Sequence, residues 1–407
     1  MKQIYPASMT GKGAIQGGSV LDHAFGSSDP YTLGVEEEYM LLDGETFDLV
    51  QHIETVLSAI SGHELEPRIN AELMQSVLEI ATPVCRTAAD AHRELTKLRG
   101  YVTGVARERG MRVGSAGTHP FSLFERQRIT ARDRYRNLVD QLQYIARREL
   151  VFGMHVHVAV DDAEKAIQVV NGLLAQLAPL LALSASSPFW RGEPTGLSSS
   201  RQMVFAAFPR SGPPPRFKDY ADYAEVVGQL ERTGCIADYT HIWWDIRLHP
   251  RLGTIEIRIC DAVTRVEDAT AIAAYCQALV KYLCERYDAG EEIPTYHRIL
   301  TTENKWLAAR YGLEAPIMDL ATGKRNRIPV AQLIRRTLRE IEPHARELGS
   351  DRELEGIGEI LGRGNGSDRQ LRVFDANRDI VEVVEEIAKA TEAEPTKVEP
   401  APAEVEG

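Results

Sequence analysis

The 407-residue sequence has little cysteine: Cys85, Cys235, Cys260, Cys276 and Cys284, an odd number with no Cys-x-x-Cys pair. That spacing argues against a disulfide framework and against a zinc knuckle, and the expected setting is a reducing cytoplasm. The five lie in apolar or irregular contexts and read as packing residues. Long apolar runs are also missing. The longest, Leu173 to Leu183, is interrupted by Gln176 and Pro179 and is too short to span a bilayer, so no membrane is expected. The first thirty residues lack a charged stretch followed by an apolar one, so no secretory signal is expected. No basic run offsets the acidic total: Lys plus Arg is 47 against 59 Asp plus Glu, a net charge of -12. A phosphate-backbone binder needs the opposite balance, so no nucleic-acid partner is expected. Met9-Thr10-Gly11-Lys12-Gly13 contains a Gly-Lys but neither the upstream glycine nor the following Ser or Thr of a P-loop.

What is present is an ordinary globular composition, 43% hydrophobic and 26% charged, long enough for one large domain or two smaller ones. Residues 1–30 are rich in Gly and Ser and read as a flexible arm. Residues 391–407, rich in Pro, Ala and Glu, read as a disordered acidic tail. A single domain is expected between them, over 31–390.

Strand and helix patterns alternate within it. Tyr31 to Leu42, Gln75 to Ala81, Met111 to Ala116 and Val151 to Val160 read as strands. Ile242 to Leu248 and Thr254 to Cys260 flank the five-residue loop His249-Pro250-Arg251-Leu252-Gly253 and read as a hairpin. Helical periodicity runs over Ala88 to Arg109, closed by Gly110, over most of Asp162 to Leu183, over Val266 to Tyr287, and over most of 297–390. Tight hairpins with long helices predict an α+β fold built on an antiparallel sheet.

Residues i and i+2 of a strand share a face. Glu36 and Glu38 therefore lie together, opposite Val35 and Tyr39, with Glu37 an exception. Glu79 shares a face with Gln75, opposite Leu78 and Ile80. His155 and His157 share a face, as do Glu256 and Arg258, opposite three isoleucines. Asp245 and Arg247 lie opposite Ile246 and Leu248. One strand of this kind is usually a solvated face. Four in one domain line a sheet with Glu36, Glu38, Glu79, His155 and Glu256, which is costly to assemble without divalent cations. Hard oxygen donors with one or two imidazoles suit Mg²⁺ or Mn²⁺, and Arg247 and Arg258 suit phosphate or carboxylate. Together they suggest a nucleotide phosphoryl-transfer site.

The strings GVEEEYMLLD (34–43), SVLEIATPV (76–84), GTHPF (117–121), FGMHVHVAV (152–160), TGLSSSRQMVF (195–205), WWDIRLHPRLGTIEIRICDA (243–262) and ENKWLAARYGL (303–313) resemble, in order and spacing, the bacterial glutamate–cysteine ligase type 2 family of carboxylate–amine ligases. The resemblance covers roughly residues 30–385. It implies a catalytic sheet of the glutamine-synthetase-like type, antiparallel, curved into a funnel and flanked by helices. It implies metal ligands at Glu36, Glu38, Glu79, His155 and Glu256, and catalytic roles for Arg258 and Arg247. Glu72, Arg201, Asp245 and His157 are the substrate-side candidates. Arg310 and Arg369 are weaker nucleotide-side candidates, Arg369 because Asp368-Arg369-Gln370 follows the Gly-rich stretch from Gly362 to Ser367.

The reaction implied is ATP-dependent, with Mg²⁺ or Mn²⁺ as cofactor. The glutamate γ-carboxylate is phosphorylated, cysteine attacks the acyl-phosphate, and ADP and phosphate are released. A homodimer is also compatible with the family. Three rival readings stay open. A different amine could serve as acceptor. The His-x-His strand could belong to a zinc hydrolase, with His241 and His249 as further ligands. The chain could also be a non-catalytic binder, although all four ligand-position carboxylates are present. The Gly-rich stretch reads more simply as one helix's C-cap followed by the next helix's N-cap. Trp306 reads as a packing residue, and Asn304 has no assigned role.

Overall fold

The computed structural model describes residues 21–322 and 326–392. Seven strands form the main sheet: Leu33–Asp43 (β1), Ile69–Ala71 (β2), Val77–Ala81 (β3), Met111–Gly114 (β4), Met154–Ala159 (β5), Ile246–His249 (β6) and Thr254–Ile257 (β7). Their order is β6-β7-β5-β1-β3-β2, with β4 pairing the far end of β1. Every pairing is antiparallel. The fold is α+β, as expected.

The register brings the expected polar residues face to face. Glu36 lies opposite His155, Glu38 opposite Glu79, Glu256 opposite His157 and Arg247 opposite Glu256. Directly opposed residues share a face, so the pattern of each strand becomes one continuous polar surface. The other face presents Val35, Tyr39, Leu78, Ile80, Val156, Val158, Ile255 and Ile257 to the main core. Burying each such aliphatic side chain contributes about 1.5–3 kcal/mol.

Two long helices cover that apolar face, Ala88–Arg107 (α1) and Val266–Asp288 (α2). Helix α1 opens with a reciprocal cap. The Asp90 amide donates to Thr87 Oγ1 at 3.0 Å, and the Thr87 amide donates to Asp90 Oδ2 at 3.1 Å. Glu37, the exception to the alternation, is explained here. It meets Arg99 of α1, whose Nη2 is 2.5 Å and Nε 3.0 Å from its carboxylate, and it accepts from the Tyr39 hydroxyl. The apolar segment Ala163–Ser184 is long and apolar enough to cross a membrane by length and composition. Here 83% of its most apolar window is buried inside the protein.

Several expected boundaries shift. Gln75 precedes β3 instead of belonging to it, and its side-chain amide donates to the Ile129 carbonyl. His249 ends β6, and a short helical turn, Pro250–Leu252, replaces most of the expected loop. Thr391 and Glu392, assigned to the tail, belong to the helix Ile380–Glu392. Glu392 accepts from Arg112 Nε at 2.8 Å and from the Val113 amide at 3.1 Å, while Thr391 Oγ1 accepts from the Ser115 amide at 3.0 Å. The rest of the expected tail, 393–407, lies outside the described residues, as does 1–20 of the expected arm. Residues 21–30 pack against the body. The Ala24 amide donates to the Pro250 carbonyl at 2.8 Å, and the His23 and Phe25 rings lie 4.9 and 6.2 Å from that of Tyr220.

Candidate active site

The polar face of the sheet floors a cavity of about 310 Å³. Its walls include Glu36, Glu38, Glu72, Glu79, His155, His157, Arg201, Arg247, Glu256 and Arg258, all expected from the sequence. At one end, Glu256 is held by two guanidinium groups. Arg247 Nε and Nη2 lie 2.8 and 2.7 Å from Oε2, and Arg258 pairs with Oε1. Burial alone would favour protonation of Glu256, but Arg247, Arg258 and His157 hold it well below the usual carboxylate range. Arg247 also donates to the carbonyls of Thr240 and Ile242 at 2.9 and 2.8 Å. Most of its donors are taken up by Glu256 and the two carbonyls, and it lines the cavity beside Arg258, which shares Glu256 with it. The Nε of Arg258 is shielded and has no partner.

Beside this lock, Glu36 sits between the two imidazoles. His155 Nδ1 is 3.1 Å from Oε2 and His157 Nε2 is 3.5 Å from Oε1. Burial opposes ionisation of Glu36, yet the two histidines hold it ionised. His155 is pushed down to about 4 by burial and by Arg258. Burial also lowers His157, but Glu256 and Glu36 outweigh it and raise the imidazole overall. Glu36, His157 and Glu256 each present a donor atom within 4.8 Å of the others, a group that can hold a metal ion. His157 Nδ1 is spent on Thr254 Oγ1 at 3.0 Å, which leaves Nε2 shielded and unpartnered toward the two carboxylates. The compact donor group thus uses His157, expected on the substrate side. His155, expected as the ligand, lies next to it, with Arg258 Nη1 3.5 Å from its Nδ1.

At the other end stand Glu38, Glu79 and Glu72. Glu38 accepts from the Gly153 amide at 2.5 Å, and Glu72 from the Leu73 amide at 3.1 Å. Burial and then Glu72 push Glu38 up to about 7. Burial raises Glu72, and burial with Glu72, Glu36 and Glu38 raises Glu79 well above the usual range. Two carboxylates directly opposed in a sheet repel one another unless protons or cations intervene. The donor set is hard, oxygen-rich and carries one or two imidazoles, which fits Mg²⁺ or Mn²⁺.

Arg201 reaches the cavity from the short helix Ser200–Phe205, capped by Ser199. Its side chain is 4% exposed, its Nη atoms lie 3.3 and 3.4 Å from the carbonyls of Ile259 and Arg258, and its Nε has no partner.

Three expected residues are elsewhere. Asp245 is buried against Lys305, whose Nζ is 2.7 and 2.8 Å from its two oxygens. Arg310 is exposed, donates to the Gly196 carbonyl and lies over the Tyr311 ring. Arg369 faces Asp268 at 3.7 Å beneath the helix Gly366–Asn377. The preceding Gly-rich stretch is a C-cap followed by an N-cap. Gly364 has φ +91°, and Asn365 and Asp368 form a reciprocal cap. Asn304 ties down Met318, accepting from its amide at 2.8 Å and donating to its carbonyl at 2.9 Å. Trp306 is 39% exposed instead of packed, and among the cysteines Cys235 is exposed while the other four are buried.

The cavity also contains residues that the strand pattern did not reveal: Glu149, Arg134, Tyr135, Thr240, Trp243, Phe205 and Phe208. His241 and His249, weighed only as zinc ligands, line it too. Most of these come from short helices and turns, where no period-2 alternation marks which way a side chain points.

Residues 32–390 match the family described as glutamate-cysteine ligase family 2. A Rubrobacter xylanophilus protein named "Putative glutamate--cysteine ligase 2-1" is 44% identical over 361 residues, covering 89% of this chain and 95% of its own. A Sorangium cellulosum protein named "Putative glutamate--cysteine ligase 2" is 43% identical, covering 88% and 95%. Among solved structures, the Francisella tularensis glutamate–cysteine ligase in complex with AMP superposes with a TM-score of 0.64 at 13% identity, covering 90% of both chains. A bifunctional glutathione synthetase from Pasteurella multocida gives 0.62 at 16% identity, over 88% of this chain and 52% of its own. At those identities the likeness is one of fold. The family match and the two relatives, each spanning almost the whole described chain, give the same assignment: this chain belongs to glutamate–cysteine ligase family 2.

Proposed function

We propose that the protein is an ATP-dependent carboxylate–amine ligase that joins the γ-carboxylate of L-glutamate to the amine of L-cysteine and releases ADP and phosphate. The observation that carries this reading is the polar sheet face, where Glu36, Glu38, Glu79 and Glu256, the imidazoles of His155, His157 and His249, and the Arg258 guanidinium converge on one cavity. Family membership and the names of the relatives support it. The hydrolase alternative asks for a histidine-rich zinc site. Among the described residues, the compact donor group has two carboxylates and one histidine.

Glu36, His157 and Glu256, with Glu38 and Glu79 toward the other end of the cavity, would hold Mg²⁺ or Mn²⁺, which when bound neutralises triphosphate charge. The chain's own residues do the rest. An oxygen of the glutamate γ-carboxylate attacks the γ-phosphorus of ATP, the bond to the bridging oxygen breaks, and ADP leaves. The neutral acceptor amine then attacks the acyl carbon, phosphate departs with the bonding electron pair, and the nitrogen loses one proton, which the departing phosphate takes up. Arg258 stabilises the negative charge that builds on the transferring phosphoryl group and then on the tetrahedral oxyanion, using the donor that the fold leaves free. Glu256 and Arg247 fix the position of Arg258. Arg201 neutralises a substrate carboxylate.

The test is ADP release by purified protein with Mg²⁺, ATP and glutamate, adding each amino acid in turn, beside a Glu36→Gln control. Release that requires glutamate, rises only with cysteine and is lost in the control is the expected result. A rise with another amine would move the acceptor. No turnover with any pair, with zinc in the purified protein, would end the ligase reading.

A further inference from the structure

Asp261 stands just past β7 and is fully buried, yet it does not line the cavity. A carboxylate out of water is costly, and a fold that keeps one surrounds it with donors. Its Oδ2 accepts from the Ser187 hydroxyl at 2.7 Å and the Ser186 amide at 3.0 Å, and its Oδ1 from the Ser199 hydroxyl at 2.9 Å. Arg201 Nη1 lies 3.8 Å from Oδ1, near enough to feel the charge and too far for a hydrogen bond. Burial pushes the Asp261 carboxyl up, and Arg201 is the strongest group pulling it back.

Both serine hydroxyls have a second task. Ser187 Oγ accepts from the Arg201 amide at 3.2 Å, and Ser199 Oγ, the cap of the helix Ser200–Phe205, accepts from the Gln202 amide at 3.4 Å. A hydroxyl has one proton, and giving it to Asp261 turns the lone pairs toward these amides. The helix has only six residues, too few to hold itself in place, so such contacts decide where it sits. Gly117 leaves room for the arrangement: a Cβ there would lie 2.6 Å from the Asp261 carboxylate and 2.9 Å from Ser187 Oγ. Gly153 pairs with Asp261 through an antiparallel bridge. Four of the strings that carry the family resemblance therefore meet at this carboxylate, through Gly117, Gly153, Ser199 and Asp261.

We infer that Asp261 is a positioning residue: through Ser187 and Ser199 it seats the helix that carries Arg201, and its charge directs the guanidinium without taking up a donor. This rests on the role proposed for Arg201 and adds the group that sets its direction. The other contacts of Arg201 do not set it. Its Nη atoms lie 3.3 and 3.4 Å from the carbonyls of Ile259 and Arg258, and among the described residues its Nε has no partner. A carboxylate in direct contact would occupy the fork that an anion needs. One held back behind two hydroxyls fixes the arginine and leaves the fork open.

Asp261→Asn keeps the shape and removes the charge, and Gly117→Ala displaces the carboxylate with its charge intact. The probe is phenylglyoxal, which modifies guanidinium groups, with peptide mass spectrometry on the full chain. Arg99 is the internal control, its side chain 5% exposed against 4% for Arg201. Labelling of Arg201 should rise about 10-fold in both variants, the lower range of a lost charge-assisted contact, while Arg99 stays unchanged. Arg201 labelling that is unchanged, or that rises only together with Arg99, would overturn the assignment; where Asp261→Asn fails to fold, Gly117→Ala decides. In ADP-release assays Asp261→Asn should raise the glutamate KM about 10-fold and leave the ATP KM unchanged. Added to Arg201→Gln it should change the glutamate KM by less than about two-fold, because residues acting as one unit are not additive. A full effect in that background, or raised labelling with an unchanged glutamate KM, would also overturn it. Raised labelling of Arg201 in a protein whose wild type shows no turnover ends the ligase reading and keeps the assignment of Asp261. Turnover with labelling and glutamate KM both unchanged does the reverse.

Discussion

Glu36 and Glu37 are consecutive residues of β1 and stand on opposite faces of the sheet. Glu36 enters the cavity between His155 and His157. Glu37 enters the core, where Arg99 meets it with two contacts of 2.5 and 3.0 Å and spends a further donor on the Thr264 carbonyl at 2.7 Å. The same side chain, one position apart, lines the cavity in one case and anchors a core arginine in the other.

Their substitutions should therefore separate. Glu37→Gln strands the Arg99 charge in the core and should cost about 3–5 kcal/mol of stability, leaving the KM values of the folded fraction unchanged. Glu36→Gln should lower ATP turnover by about 10²–10³-fold with little loss of stability. Urea melts beside ADP-release assays decide this. Loss of stability in Glu36→Gln with activity retained would reverse the assignment.

Asp245 and Lys305 are sixty residues apart and form a buried ion pair. The Asp245 carbonyl accepts from the Arg258 amide at 2.8 Å, so the pair braces the strand end that carries Arg258. Lys305→Met should cost about 3–5 kcal/mol, and the double variant Asp245→Asn/Lys305→Met should recover much of it. Because Arg258 loosens, kcat should fall more than any KM. A double variant no more stable than the sum of the single losses would show that the pair is not coupled.

The metal-free protein should lose stability as pH rises above about 6.5. Glu38 is pushed up to about 7 by burial and Glu72, and Glu149 up to about 8 by burial. The unfolded chain releases these protons near 4.5, so it binds fewer protons than the fold. The stability they contribute is present below 4.5 and is lost as pH passes through about 7 and 8. His155 and His249, both pushed down to about 4 by burial, have the opposite effect, but only up to 6.5, where the unfolded imidazole stops taking up protons. Above about 6.5 the carboxylates act together with His157, whose imidazole is raised by Glu256 and Glu36 and also keeps its proton longer in the fold. The melting temperature without metal should fall by several degrees from there to about pH 8.5, and Mg²⁺ should restore more of it at the higher pH. Glu38→Gln should flatten the slope. A melting temperature independent of pH in this range would remove the carboxylate cluster as its cause.

Much of the site was readable because strand geometry is local. The alternation alone pairs Glu36 with Glu38 in β1, His155 with His157 in β5, and Glu256 with Arg258 in and just past β7, and all six line the cavity. The same rule placed Asp245 beside Arg247. It failed there because Asp245 lies just before β6, where Lys305 of the helix Arg298–Tyr311 captures it. Arg310 and Arg369 were drawn from helices whose orientation nothing local specifies, and neither reaches the cavity. Glu149, in a turn, carries no periodic signal.

The sequence by itself determined which side of each strand is polar, because backbone pleating sets the direction of successive side chains without reference to the rest of the chain. It also determined the helix caps, since Thr87 with Asp90 and Asn365 with Asp368 satisfy end amides within a few residues. Only the tertiary structure decided which donors come together: Glu36 between His155 and His157, His157 near Glu256, Arg247 tied to main-chain carbonyls, and Glu149 shielded in the cavity wall. Those outcomes depend on strand register and on helix packing between residues far apart in the chain. A displacement of one residue or a few ångströms, which no local rule constrains, separates a ligand from a neighbour.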